Sequence, residues 1–121
     1  MMSKLTDHFS RHEFQCPCGC GFSAADIELL LILEQLRIYI NSPIRITSAC
    51  RCEEYNSRLG GSKTSYHVIA MAADITSNIT PSELYEIINQ FYPEKYGIGK
   101  YDRHVHIDIR DKKARWQGKS K

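Results

Sequence analysis

Leu29, Ile32, Leu33, Leu36 and Ile40 recur at the three- and four-residue spacing that collects apolar side chains on one helix face. Ser23 reads as the N-cap of that helix, with Asp26 at the third helical position, and Asn41, Ser42 and Pro43 end it. Ile44 to Ser48 alternates and is β-branched, which predicts a strand. Residues 53–59 read as a short helix that stops at Gly60-Gly61, and Ala72 to Thr76 as a second strand. Thr80-Pro81-Ser82-Glu83 is a capping box with proline at the first helical position, opening a helix to about Phe91. Gly97 to Tyr101 and His104 to Arg110 read as two strands joined by a tight turn around Asp102-Arg103.

This order of elements predicts an α+β domain, a small antiparallel sheet flanked by helices. The 121 residues suffice for one compact domain, and no linker or repeat divides residues 1–121. Residues 1–22 read as an irregular, cysteine-rich segment anchored by Phe9 and Phe14, with Gly19 and Gly21 supplying its turns.

Composition narrows the function classes. At 42% hydrophobic and 25% charged residues, the chain can bury a modest core. The longest apolar run, Leu29 to Leu33, falls far short of the roughly 18 residues of a membrane span. No apolar stretch follows Met-Met-Ser-Lys, so synthesis in the cytoplasm without a signal peptide is expected. The net charge of +2 is too small to argue for nucleic acid, and a monomer is expected. Lys112, Lys113, Arg115, Lys119 and Lys121 make residues 112–121 basic, which reads as a solvated, frayed tail.

Five histidines and five cysteines carry the candidate chemistry. His8 and His12 read as surface residues. His104, His106 and Asp108 share one face of the last predicted strand, leaving Val105, Ile107 and Ile109 to the core. With His67 and Asp74, these residues offer the two imidazoles and one carboxylate of a catalytic zinc site. Spacing alone leaves a solvated strand edge as an equal alternative. Cys16, Cys18 and Cys20 with Cys50 or Cys52 offer a second, structural zinc. C-x-C-x-C is tighter than usual ligand spacing, so reduced thiols packing the segment are expected instead.

Ser65-Tyr66-His67-Val68-Ile69-Ala70-Met71-Ala72-Ala73-Asp74 resembles the S-x-H-x-x-G-x-A-x-D motif of the zinc D-Ala-D-Ala carboxypeptidase family, the group that includes relatives of lysostaphin-type peptidases and the hedgehog domain. His104-Val105-His106 resembles its H-x-H element, and Ile46 to Asn56 resembles its T-S-G-x-R-S-x-E-Y-N segment. The resemblance spans roughly residues 9–116 and implies the hedgehog/D-Ala-D-Ala peptidase type of fold. It implies one catalytic Zn2+ on His67, Asp74 and His106, with Arg51 binding a substrate carboxylate and Ser65 binding substrate or shaping the loop. Arg103 stands where many relatives carry an acid, so the base is His104 or Asp102. Ala70 replaces the family glycine. A small residue is expected to suffice there, without a left-handed backbone.

The implied activity is hydrolysis of a peptide bond in peptidoglycan stem peptides, as a DD-carboxypeptidase or an endopeptidase. Lack of a signal peptide suits a phage or prophage product that meets the wall after lysis. The alternative is a zinc-containing, non-catalytic wall-binding or phage structural module on the same fold.

Overall fold

Asp26 begins the first helix. Its backbone is extended and its carboxylate accepts the Glu28 N–H at 2.8 Å, so it caps α1 (Ile27–Ile40). The cap expected at Ser23 is therefore three residues too early. Ser23 instead bridges Gln15, and the Asp26 N–H is taken by the Ala70 carbonyl at 3.0 Å. These non-local bonds hold residues 23 and 26 outside the helix. Asn41 closes α1 in the left-handed conformation that asparagine tolerates.

This computed structural model describes residues 4–21, 23, 25–61 and 65–120. After α1 come β1 (Ile44–Ser48), α2 (Glu53–Arg58), β2 (Ala72–Ser77), α3 (Pro81–Phe91), β3 (Gly97–Lys100), β4 (Val105–Asp108) and β5 (Ala114–Gln117). The stretch that follows Gly60-Gly61 lies partly outside the described residues. Thr80 caps α3 as a capping box: its hydroxyl accepts the Glu83 N–H at 3.1 Å, and Glu83 accepts the Thr80 N–H at 3.1 Å.

The five strands form one mixed sheet in the order β1-β2-β4-β3-β5. The first four pair antiparallel, as expected, but β5 runs parallel to β3. The stretch expected to be a frayed tail is thus partly a strand. Its charge is not simply solvated: Arg115 donates to Asn89 Oδ1 at 2.8 Å and to the Tyr92 and Tyr96 carbonyls at 2.6 and 2.7 Å. His8 is exposed, as expected of a surface residue, and its backbone and ring both bond the Glu34 carboxylate.

Alternation sorts the sheet into two faces. Ala73 and Ile75 of β2, Ile98 of β3, and Val105 and Ile107 of β4 join one core with Leu29, Leu33 and Leu36 of α1 and Leu84 and Ile88 of α3. Phe9 and Phe14 are buried in the same core, as expected of anchors, and meet edge-to-face. The period of two then directs Asp74, His106 and Asp108 to the opposite face. Among the described residues no helix is long and apolar enough to cross a membrane.

Candidate metal centre

Strand register brings the first two candidate residues together. Asp74 on β2 and His106 on β4 are direct cross-strand partners, close enough for side chains to interact. On the other side of β2 the register slips by one residue at Thr47, so Ser48 rather than Thr47 opposes Asp74. The slip leaves the Thr47 hydroxyl donating to the Asp74 carbonyl at 3.1 Å.

His67 arrives from the turn before β2. Ser65 Oγ accepts the His67 N–H at 3.2 Å, and the Ala70 N–H returns to the His67 carbonyl at 3.2 Å. Ser65 therefore shapes the turn and also lines the cavity. Ala70 sits at φ +61°, which corrects the expectation that smallness alone mattered. The turn needs a left-handed residue so that the Ala70 carbonyl can reach Asp26 and the Met71 N–H can reach Tyr66.

The hydrogen bonds fix both imidazole tautomers. His67 Nδ1 lies 2.6 Å from the Ala49 carbonyl, which can only accept, so Nδ1 donates and Nε2 keeps its lone pair. His106 Nε2 lies 2.7 Å from Asp108 Oδ2, so it donates there and Nδ1 keeps the lone pair. Those lone pairs converge on Asp74 Oδ1, at 3.3 Å from His67 and 3.1 Å from His106. A tetrahedral zinc with nitrogen and oxygen ligands at about 2.0–2.1 Å separates its donors by about 3.3 Å. The donor set therefore fits zinc in type and in spacing, and three acceptors facing one another call for a cation between them.

Protons compete for the same lone pairs. Burial lowers the His106 pKa, but hydrogen bonds to Asp108 and Asp74 outweigh it and raise the value overall. Burial raises the Asp74 carboxyl, but His106 and His67 hold it well below the usual carboxylate range.

Behind His106 stands a support the sequence only half revealed. Asp108 has no solvent exposure. Arg110 clamps it with Nε and Nη2, each at 2.7 Å, and lies over the Tyr66 and Trp116 rings. Burial raises the Asp108 carboxyl, but Arg110 and His106 together hold it well below the usual carboxylate range. Glycines on β3 make the room. Gly97 opposes Asp108 and Gly99 opposes His106. A Cβ at Gly97 would lie 2.5 Å from Asp108 Oδ1, and one at Gly99 2.4 Å from Trp116 Nε1. Gly-x-Gly directly before a His-x-His strand was the available signal for this crowding.

A cavity of about 620 Å³ opens over the three donors. His104 and Arg51 both line it. His104 stacks on Tyr101 with ring centroids 4.3 Å apart, its Nδ1 is 2.8 Å from Ser120 Oγ, and its Nε2 is 4.0 Å from Asp74 Oδ1. Burial is the main cause that lowers the His104 pKa, which favours the neutral ring. Asp102 is exposed and accepts the Ser120 N–H. Arg51 donates to Ser48 Oγ at 3.1 Å, Asn56 Oδ1 at 3.2 Å and Asp74 Oδ2 at 3.4 Å, rather than pairing with Glu53 or Glu54. Trp116 and Ser120, both in the stretch read as a tail, also line the cavity.

Among known proteins, a family model described as Peptidase M15 matches residues 7–108, most of the chain up to the end of β4. No curated protein and no solved structure matches significantly.

Proposed function

The chain belongs to the peptidase M15 family of zinc-dependent metallopeptidases, and from that premise we propose that it hydrolyses a peptide bond in the stem peptides of peptidoglycan, with Arg51 and His104 as its substrate-binding and proton-transferring groups. The observation that carries this reading is the placement of a guanidinium and a neutral imidazole in one cavity with His67, Asp74 and His106.

His67, Asp74 and His106 would hold the ion through Nε2, a carboxylate oxygen and Nδ1. Bound there, zinc supplies a Lewis acid that polarises the scissile carbonyl and acidifies a water. Arg51 orients the substrate. Among the described residues three of its five N–H groups are engaged, one on each of its nitrogens. One N–H remains on each terminal nitrogen, the pair that grips a carboxylate from both oxygens. A peptide bearing a free carboxylate near the cut bond, at its C-terminus or on a side chain, suits this fork.

His104 moves the proton. Ser120 Oγ can accept from His104 Nδ1–H, and in that tautomer Nε2 is the free base facing the donors. It accepts a proton as water oxygen bonds to the carbonyl carbon, and returns it to the amine as the C–N bond breaks. Ser120 and the stacked Tyr101 ring hold the imidazole in that orientation. Asp102 is the weaker candidate, since its carboxylate is committed to the Ser120 backbone.

The test is mass spectrometry of products from defined muropeptides, run with zinc analysis of the same samples. Wild type is expected to release either terminal D-Ala or a cross-link fragment, and His104→Ala to lose roughly 10²–10⁴-fold in rate while retaining its zinc. Wall binding by zinc-loaded wild type with no product would overturn the enzymatic reading in favour of a binding module.

A further inference from the structure

Four cysteines converge beside Arg51, and none of them lines the cavity. Cys16, Cys18 and Cys20 come from the N-terminal segment, and Cys52 immediately precedes α2. Cys50 is buried but is not one of the four.

Sequence spacing alone argues against such a group. In an extended chain, cysteines two apart point the same way but sit about 6.6 Å from one another, too far for one small ion. The backbone here is not extended. The Gly19 N–H closes a turn onto the Cys16 carbonyl at 3.3 Å, and Gly19 and Gly21 take φ of +84° and +92°. A Cβ on either glycine would meet nothing within 4 Å. These glycines are therefore required by backbone conformation rather than by lack of space. The coil they produce wraps three thiols around one point, and Cys52 closes the group from across the fold.

The distances discriminate between the chemistries open to four thiols. Cys16 Sγ lies 3.5 Å from Cys18 Sγ and 3.8 Å from Cys52 Sγ, and Cys18 Sγ lies 3.7 Å from Cys52 Sγ. All four sulfurs fall within 4.8 Å of one another. A disulfide needs about 2.05 Å. A tetrahedral zinc with Zn–S bonds of about 2.3 Å places its sulfurs about 3.8 Å apart, close to the separations among Cys16, Cys18 and Cys52. Backbone N–H groups are aimed at two of the sulfurs: Cys52 N–H donates to Cys16 Sγ and Tyr55 N–H to Cys52 Sγ, each at 3.4 Å. Such bonds stabilise the charge of thiolates rather than thiols.

We propose that Cys16, Cys18, Cys20 and Cys52 bind a second zinc ion as a closed, structural tetrathiolate site. Four protein ligands leave no open position, so this site is not catalytic. Soft thiolates select zinc over the hard divalent cations. Exposed Cys18 and Cys20 give the ion a route in, and buried Cys16 fixes the site to the core. The ion would fasten the N-terminal segment to the residue next to Arg51, and so hold the loop that presents the guanidinium to the cavity.

The test uses the full chain, reduced and supplied with zinc or with cobalt as a spectroscopic stand-in. The expected result is a second zinc equivalent per chain, four thiols protected from a thiol reagent until chelator is added, and an intense thiolate-to-cobalt charge-transfer band. His67→Ala is expected to lose the first equivalent and keep the band. Cys18→Ser, an exposed position, is expected to lose the band and keep the metal at the histidine centre. The two sites thus fail separately, and the wild-type spectrum decides even if a cysteine variant does not fold. Absence of the band in cobalt-loaded wild type, or equal reactivity of all four thiols with and without chelator, would overturn the proposal.

Discussion

Replacing Asp108 by asparagine keeps the shape of a side chain that has no solvent exposure and removes its charge. The carboxylate accepts from His106 Nε2 and from two nitrogens of Arg110, all at 2.7 Å. An amide has one oxygen to offer and must turn its NH2 toward one of these donors. With the oxygen in the Oδ1 position, where it keeps Arg110 Nε and the Arg110 backbone N–H, the amide NH2 takes the Oδ2 position, faces His106 Nε2 and drives the imidazole proton onto Nδ1. That atom is the one 3.1 Å from Asp74, where the lone pair is needed. Loss of such a support lowers metal affinity by about 10–100-fold, or about 1.4–2.7 kcal/mol. Stability falls as well, because Arg110 loses its charge partner. Arg110 is 29% exposed, so water recovers part of the cost, and about 1–3 kcal/mol is expected rather than the full penalty of a sealed pair. Zinc competition against a chromophoric chelator measures the first effect, and denaturant unfolding in chelator the second. A folded Asp108→Asn protein with zinc affinity within about threefold of wild type would refute the tautomer argument. Gly97→Ala reaches the same carboxylate by crowding, with its Cβ 2.5 Å from Asp108 Oδ1 and Arg110 Nε. It is expected to weaken zinc in the same direction, at a packing cost of about 1–3 kcal/mol.

Ala70→Gly relieves a left-handed alanine, worth about 1–2 kcal/mol, against a comparable loss from chain entropy and one buried methyl. Thermal unfolding is therefore expected to change little or improve, and a loss above about 1.5 kcal/mol would show that the turn does not strain alanine. Acid is expected to weaken the fold through Asp108 and Glu34. In each, burial raises the carboxyl, but the hydrogen bonds outweigh it, from Arg110 and His106 for Asp108 and from the backbone and ring of His8 for Glu34. Depressed folded-state values contribute stability that is present above the unfolded-state pKa near ~4 and lost as pH falls through the folded value. Urea unfolding between about pH 5 and 2 in chelator should show this decline, with a smaller decline in Glu34→Gln. Arg51→Lys keeps the charge but loses the fork, so KM for a carboxylate-bearing peptide should rise by about tenfold or more while kcat changes less. Steady-state kinetics that show only a kcat effect would place Arg51 outside substrate binding.

Much of the site was legible because its donors follow local rules. The alternation of His104 to Ile109 separates the polar face from the core without any tertiary information, and the Thr80 capping box marks a helix start by itself. What was not legible depends on distant partners. Ser23 satisfies the local rule for a cap, yet its neighbour Asp26 wins because Ala70, far along the chain, occupies the Asp26 N–H. Residues 114–117 read as a charged tail, since nothing local reveals that Arg115 has carbonyls waiting at the end of α3. Trp116 and Ser120 were lost with that strand, and with them two walls of the cavity. The tight cysteine spacing argued against a shared ion only as long as the chain between them was imagined straight.

The pairing of Asp74 with His106 across neighbouring strands has a consequence for how this protein is assembled. A slip of one residue between β2 and β4 would turn one donor to the core face and leave the other without its companion. An ion that needs both therefore binds only the chain whose central strands have found their correct alignment. Zinc would act as an inspector of folding, rewarding the native register and ignoring its nearest competitors. Metal uptake during refolding should then track the docking of these two strands and lag behind the local formation of α1 and α3.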